Sequence, residues 1–584
     1  MAAAFGRVVR AGLLLLLFSA AGFSICAQDL AQPASVDRTL TSLHGVVRNA
    51  ATGQGLARAL VRIEGDAEAG ALTDGEGRFG IPNIPAGPQS VTVEKPGFLD
   101  RSFSAGNGTG QFVVFAAAGG HNVLVAAQMP DVVFTLAPTG AIRGQVELST
   151  GDAAEGIKIV LAQRAIQDGR SLWQQAASAK TRSDGTFRFG GLADGDYALF
   201  TEPAMDSDLD GAPGGDGQRW GYAAVYYPDA REPSGVAKIH VANGQEAQAN
   251  LLLTLEPFQP VSAVAVMPQG NAAARAGRNL SAMVMDSGGH QLPYPAQYDE
   301  ETHMVQALLP DGTYTLLVST IPNPVENPAS VHISSGSSRE QEALAGSVEF
   351  TVAGRAVTRL RVPLSMPRPN PVQVNLIHGG AQSAETGVGQ NDQITVMVSQ
   401  AGGWVDDGMV SAYASGPVAG PLAASNTALG AYWVHTHIAA KGLCEGSFTA
   451  GGASMGREPV RIGLSGSTAP MELAVRDDCA SLELSLPEAL ASITAGEEPF
   501  FTVYVVPDFD STADVQPVTL RASTGGTVTL SSLTPGTYRV YTFLGPVELA
   551  YRNREAMAAM PYRGLALTLS AGAAANLTLE VAGQ

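Results

Sequence analysis

Two stretches, Thr73-Asp74-Gly75-Glu76-Gly77-Arg78-Phe79 and Ser183-Asp184-Gly185-Thr186-Phe187-Arg188-Phe189, carry the same punctuation about 110 residues apart. Asp-Gly supplies the positive backbone angles of a tight hairpin, and the aromatic residue that follows opens the return strand. Each is preceded by a run that reads as a strand, Ala59-Leu60-Val61-Arg62-Ile63 in one case and Ile157-Lys158-Ile159-Val160-Leu161 in the other. The pattern predicts hairpins in an all-β fold.

Working outward, a second signature follows each turn: an apolar residue, a Gly turn, then a new alternating strand. It reads Ile84-Pro85-Ala86-Gly87 and Leu192-Ala193-Asp194-Gly195-Asp196-Tyr197, and recurs as Leu309-Pro310-Asp311-Gly312-Thr313-Tyr314 and Leu533-Thr534-Pro535-Gly536-Thr537-Tyr538, with a weaker copy at Leu429-Gly430-Ala431-Tyr432. Copies about a hundred residues apart are domain-sized, too far apart for a solenoid. A chain of 584 residues with 45% hydrophobic and 15% charged residues supports several such cores. The expected fold class is therefore all-β: tandem small β-sandwiches of prealbumin or Ig-like type.

The first unit also contains His44-Gly45-Val46-Val47-Arg48 and Thr52-Gly53-Gln54-Gly55-Leu56-Ala57; the second opens on Ile142-Arg143-Gly144-Gln145-Val146 and continues through Tyr226-Tyr227-Pro228 to Asn243-Gly244-Gln245. With the Asp-Gly turn and Ile84-Pro85-Ala86-Gly87, this order resembles the carboxypeptidase regulatory-like domain, a transthyretin-type sandwich found in bacterial exported proteins with several such domains. The resemblance covers residues 42–256. It implies an accessory sandwich, without the zinc centre of the metallocarboxypeptidases. The expected organisation is 1–27 signal peptide; 42–138 and 140–257 regulatory-like sandwiches, the second with a long insertion; and further sandwiches at 259–366, 370–478 and 479–584, the last ending in the strand Ala574 to Val581.

The N-terminus supports export. Arg7 and Arg10 precede the apolar run Ala11 to Ala20 and the small-residue segment Ser24-Ile25-Cys26-Ala27, with cleavage expected after Ala27. Ile25 before Cys26 departs from the lipoprotein pattern. The apolar run is shorter than the roughly 20 residues needed to span a bilayer, and no later segment is long and uncharged enough to do so. The expected location is periplasmic, outer-membrane-associated or extracellular. In that oxidising setting Cys444 and Cys479 are expected to form a disulfide contributing on the order of 3 to 4 kcal/mol.

A formal net charge of −19 with no basic cluster argues against nucleic acid. Gly452-Ala453-Ser454-Met455-Gly456 fits the nucleophile elbow of α/β-hydrolases, but no histidine follows His437 and the fold context is wrong. No H-E-x-x-H occurs. His435 and His437, two apart on a strand, could face one side and share a metal, against a bland reading as surface or cross-strand histidines. Asp206-Ser207-Asp208-Leu209-Asp210-Gly211 begins like a calcium loop, but Gly217 stands at the twelfth position; Asp206, Asp208, Asp210 and Asp216 are the candidate ligands for Ca2+, against a solvated acidic loop. Trp220 and Tyr222 could stack on sugar rings, or pack. The expectation is a non-catalytic exported envelope protein acting as a structural, adhesion or protein-binding scaffold, its partner an unidentified envelope protein or polysaccharide, with carbohydrate binding through loops of the second sandwich as the alternative.

Overall fold

The computed structural model describes residues 40–580 apart from 67, 101–120, 207–218, 270–279, 288, 321–343, 366–369, 380–392, 402–411, 418–421, 425–429, 441, 464–465, 468, 489–495, 522–524, 546 and 561. The expected signal segment and three of the carboxylates expected as calcium ligands, Asp208, Asp210 and Asp216, lie outside these residues. Strands dominate, and the helix Arg554–Ala559 is a single short piece capped by Asn553. Among the described residues no helix is long and apolar enough to cross a membrane.

Five sandwiches follow one another, each with its own buried apolar cluster between two sheets. In the first, one sheet runs Arg78–Pro85, Leu40–Asn49, Val132–Pro138, Phe98–Asp100, and the other Gly70–Leu72, Leu60–Ile63, Gly87–Glu94, His121–Val125. Counting seven main strands in chain order, the sheets read 4-1-7 and 3-2-5-6. The second sandwich repeats this order with Thr186–Leu192, Gly140–Leu148, Glu246–Gln248 facing Arg170–Lys180, Lys158–Gln167, Gly195–Thr201, Ile239–Val241. In all five, the first strand lies parallel to the last: Leu40–Asn49 beside Val132–Pro138, Gly140–Leu148 beside Glu246–Gln248, Leu255–Val266 beside Val357–Pro363, Asn370–Ile377 beside Met471–Arg476, and Ala480–Ser485 beside Ala574–Thr578. Side chains alternate between core and water along these strands, as in Val132–Pro138, where Val132, Phe134 and Leu136 point inward.

The repeated Gly-x-Tyr signature marks one corner of this topology, where the chain leaves the fourth strand and starts the fifth in the opposite sheet. The tyrosine hydroxyl donates to the carbonyl four residues back and fastens the corner: Tyr197 to Ala193 at 2.8 Å, Tyr314 to Pro310 at 3.1 Å and Tyr538 to Thr534 at 2.6 Å. In the first sandwich the Gln89 amide makes the equivalent bond to Pro85, 3.0 Å.

Two expectations need correction. The Asp74-Gly75 and Asp184-Gly185 turns are not hairpins: each joins the third strand of one sheet to the fourth strand of the other. In the first turn the positive φ sits at Gly77 (81°) rather than at the Asp-Gly pair. A Cβ there would lie 2.5 Å from the Val47 carbonyl, and one at Gly185 (φ 74°) 2.5 Å from that of Val146, so both glycines let the turn lie close against the first strand of its own sheet. Second, the long insertion of the second sandwich is not confined to it. Ala204–Met205 and Arg219–Tyr222 pair side by side and extend the sheet of the third sandwich through Leu255–Val266. The sandwiches also touch one another out of chain order. Gly496–Glu497 of the fifth adds to the edge strand His121–Val125 of the first, and Glu498 N donates to Asn122 O at 2.8 Å. The fifth sandwich also docks on the second and fourth.

Candidate functional site at a three-sandwich junction

Strands Lys158–Gln167 and Arg170–Lys180 form a long hairpin whose tip is Asp168-Gly169. Both tip residues have positive φ, 46° and 66°, the two-residue turn that matches strand twist. The tip leaves its own sandwich and enters a junction with the fourth and fifth.

On the fourth sandwich, strand Gly430–Ala439 buries Tyr432 and Val434 in its core and turns Trp433 and His435 to the opposite face. The Arg170 guanidinium lies over the Trp433 ring, 4.0 Å from its centroid. His435 Nδ1 is 2.8 Å from Asp168 Oδ2 and 3.5 Å from Asp514 Oδ1, while its Nε2 is 2.8 Å from Ser399 Oγ. The fifth sandwich supplies Asp514, Tyr551 and Arg552. The Tyr551 hydroxyl donates to Asp168 Oδ1 (2.6 Å), the Arg552 amide donates to the Gly169 carbonyl (2.9 Å), and a Cβ on Gly169 would sit 2.5 Å from the Tyr551 ring.

The electrostatics follow from this enclosure. Burial alone would raise the Asp168 carboxyl, but the hydrogen bond from His435, the charges of Arg552 and His435, and the Tyr551 hydroxyl overcome it and hold the group at about 2. Burial alone would lower His435, and its bonds to Asp168 and Asp514 together with their negative charges raise it above the ordinary histidine value. Burial, followed by the neighbouring Arg552 charge, brings Arg170 down to about 10.

A second tie joins the fourth and fifth sandwiches. Glu445, 3% exposed, receives hydrogen bonds from Ser511 Oγ (3.1 Å), Thr512 N (2.7 Å), Thr512 Oγ1 (2.8 Å) and Thr436 Oγ1. Arg552 Nη1 donates to the Ser511 carbonyl at 2.8 Å and Nη2 to that of Ala513 at 3.1 Å. The residue before Glu445 is Cys444, disulfide-bonded to Cys479 with a Cα–Cα distance of 5.9 Å. The bond pins the end of the fourth sandwich that carries Glu445.

Asp168, His435 and Asp514 are the group among the described residues whose ligand atoms approach closely enough, within 4.8 Å of one another, to suggest a cation. The donor set does not fit one. Arg170 Nη1 lies 2.6 Å and Arg552 Nε 3.2 Å from Asp168 Oδ2, so the cationic charge that a metal would bring is already supplied by guanidinium groups. His437 is exposed and stands outside this cluster.

The other sequence candidates lie elsewhere. Asp206 receives a hydrogen bond from the Tyr222 hydroxyl at 3.0 Å, and its amide donates to the Trp220 carbonyl. Trp220 and Tyr222 are half-buried on the strand shared with the third sandwich, and Tyr222 packs against the core of the second. Ser454 belongs to a short strand returning from the Gly451-Gly452 turn to pair with Thr449–Ala450, not to a strand-to-helix elbow. Gly456 of the same motif permits contact between sandwiches: a Cβ there would meet Ser511 N at 2.7 Å. Sequence reasoning missed Asp168, Arg170, Asp514 and Arg552. The one signal available was Asp168-Gly169 itself, an Asp-Gly dipeptide between two strand-like runs.

Comparison with known proteins agrees with the sandwich reading at the N-terminal end. Residues 42–127 match the family model of the carboxypeptidase regulatory-like domain. The second sandwich, beyond that match, has the same strand order. No curated protein matches the sequence. Solved structures with some likeness include a streptococcal ancillary pilin (13% identity, 56% of this chain and 100% of that one, TM-score 0.18). Others are the Bacillus anthracis TIE protein (10%, 94% and 76%, 0.16) and GBS52, the minor pilin of Streptococcus agalactiae (15%, 37% and 95%, 0.18). At these TM-scores the likeness carries no functional argument.

Proposed function

We propose that this chain is an exported, non-catalytic envelope protein that works as a scaffold for adhesion or protein binding, its sandwiches fastened into one body. The observation that supports this reading most is the use made of the buried polar groups. A histidine between two carboxylates resembles a catalytic constellation, yet Asp168, His435 and Asp514 come from three sandwiches and both carboxylates pair with the histidine, with Arg170, Arg552 and Tyr551 around Asp168. The arrangement joins domains. The disulfide and the N-terminal segment favour an oxidising compartment.

The test has two parts. The signal-free protein, screened for peptidase and glycosidase turnover, is expected to show none; turnover that disappears in His435→Ala would overturn the reading. Crosslinking of the intact protein in its native envelope, followed by identification of the captured species, is expected to give defined protein partners. Capture of polysaccharide alone, lost in Trp220→Ala with Tyr222→Ala, would replace the scaffold reading with a carbohydrate-binding one.

A further inference from the structure

Where the fourth and fifth sandwiches meet, an open cleft of about 870 Å3 is lined by nineteen residues, five of which are arginines: Arg457, Arg539, Arg552, Arg554 and Arg563. The chain as a whole carries 35 Lys and Arg against 54 Asp and Glu, so nineteen positions drawn from it would hold about one cation. Acidic lining residues number three, Glu458, Asp508 and Asp510. The cleft reverses the sign of the molecule.

The arginines divide by what holds them. Arg552 is fixed in the wall by the Ser511 and Ala513 carbonyls. Arg539 is held by Asp508 at 3.1 Å and donates to the Arg563 carbonyl, and Arg457 pairs with Asp510. Arg554 and Arg563 are exposed and make no ion pair among the described residues. Pre-oriented guanidinium forks beside unengaged ones suit a carboxylate-bearing ligand. The half-buried rings of Phe509 and Tyr551 also line the cleft and offer apolar surface to a pyranose. The volume lies in the range of pockets that enclose small ligands, roughly 300 to 1,000 Å3. Among the described residues, the wall segments 508–515, 551–560 and 562–563 are largely loop and one short helix, without the run of unpaired strand edge that strand addition by a peptide requires.

We infer that this cleft is a binding site for an acidic glycan, its carboxylates held by Arg554 and Arg563 and its sugar rings laid against Phe509 and Tyr551. The inference goes beyond the scaffold reading and stands independently of it.

Calorimetric titration of the signal-free full chain tests it, with oligogalacturonate as the probe, a neutral oligogalactan as control and an oligoglutamate peptide as the rival polyanion. The expected result is salt-sensitive binding of oligogalacturonate, at least tenfold weaker in Arg554→Ala with Arg563→Ala, and none of the neutral sugar. Both substitutions are at exposed side chains outside the junction, and an unchanged melting curve verifies the fold. No binding at low salt, or binding undiminished in the double variant, would overturn the site. Equal affinity for oligoglutamate would overturn the glycan assignment.

Discussion

The first two sandwiches share one strand order, yet their second and third strands end differently. In the first, Leu60–Ile63 and Gly70–Leu72 are four and three residues long, and the segment between them is mostly exposed. In the second, Lys158–Gln167 and Arg170–Lys180 are ten and eleven residues long and the tip is enclosed by two other sandwiches. From Leu60 to Leu72 the first hairpin has 13 residues and from Lys158 to Lys180 the second has 23, so five extra residues on each side, at about 3.3 Å each, carry the tip about 16 Å further. One topology thus serves as a plain sandwich or as an arm, and the difference lies in hairpin length and in the charged residues at the tip.

The most severe way to break that contrast is Asp168→Ala. It leaves Arg170, Arg552 and His435 enclosed without their carboxylate, and removal of one partner from a buried charge cluster costs about 3 to 5 kcal/mol. The arm is expected to undock, seen as a larger radius of gyration by small-angle scattering, while the first sandwich keeps its own melting transition. Replacing Cys444 and Cys479 by serine spares both hairpins and opens the bridge across a separation of 35 residues, expected to cost about 3 to 4 kcal/mol in the fourth sandwich alone. A calorimetric scan resolving the transitions would separate these two effects. Gly169→Val forces a side chain into the Tyr551 ring at a positive φ, for an expected loss of about 1 to 3 kcal/mol.

The junction should also respond to pH in both directions. His435 is raised in the folded protein, so its contribution is fully present below the unfolded histidine value, about 6.5, and is lost as pH rises through the folded value. Asp168 is depressed to about 2, so its contribution is present above the unfolded value of about 3.9 and is lost as pH falls toward 2. Docking is strongest between about pH 4 and 6.5. An NMR titration should show the His435 ring protonating above its ordinary value in the native protein and at the ordinary value in Asp168→Ala with Asp514→Ala. The smallest effect is expected from Asp66→Ala at the short hairpin of the first sandwich, which touches only local amides: within about 0.5 kcal/mol, with no change in shape.

These contrasts show what the sequence could and could not disclose. The Gly-x-Tyr corners were legible because a local bond, tyrosine to the carbonyl four residues back, writes itself as a short motif. Strand alternation was legible for the same reason. The Asp74-Gly75 and Asp184-Gly185 turns were read correctly as turns and wrongly as hairpins, since local composition does not say which sheet the next strand joins. Asp168-Gly169 carried the stronger hairpin chemistry and passed unremarked amid the polar residues Gln163, Arg164 and Gln167. The junction was not legible at all: His435 and Asp514 lie 79 residues apart, Asp168 a further 267 before His435, and no period links them. Contacts between sandwiches are set by tertiary geometry rather than by any repeat within one of them.

The arm of the second sandwich docks against the fifth, and the Arg552 amide reports on this docking directly because its acceptor is the Gly169 carbonyl, 2.9 Å away in another sandwich. Hydrogen exchange of the segment 549–554 in the signal-free protein at pH 5.5 should show Arg552 protected, with protection lost in Asp168→Ala. Rapid exchange of that amide in the native protein, unchanged by the substitution, would mean that the arm is free and that the sandwiches are independent.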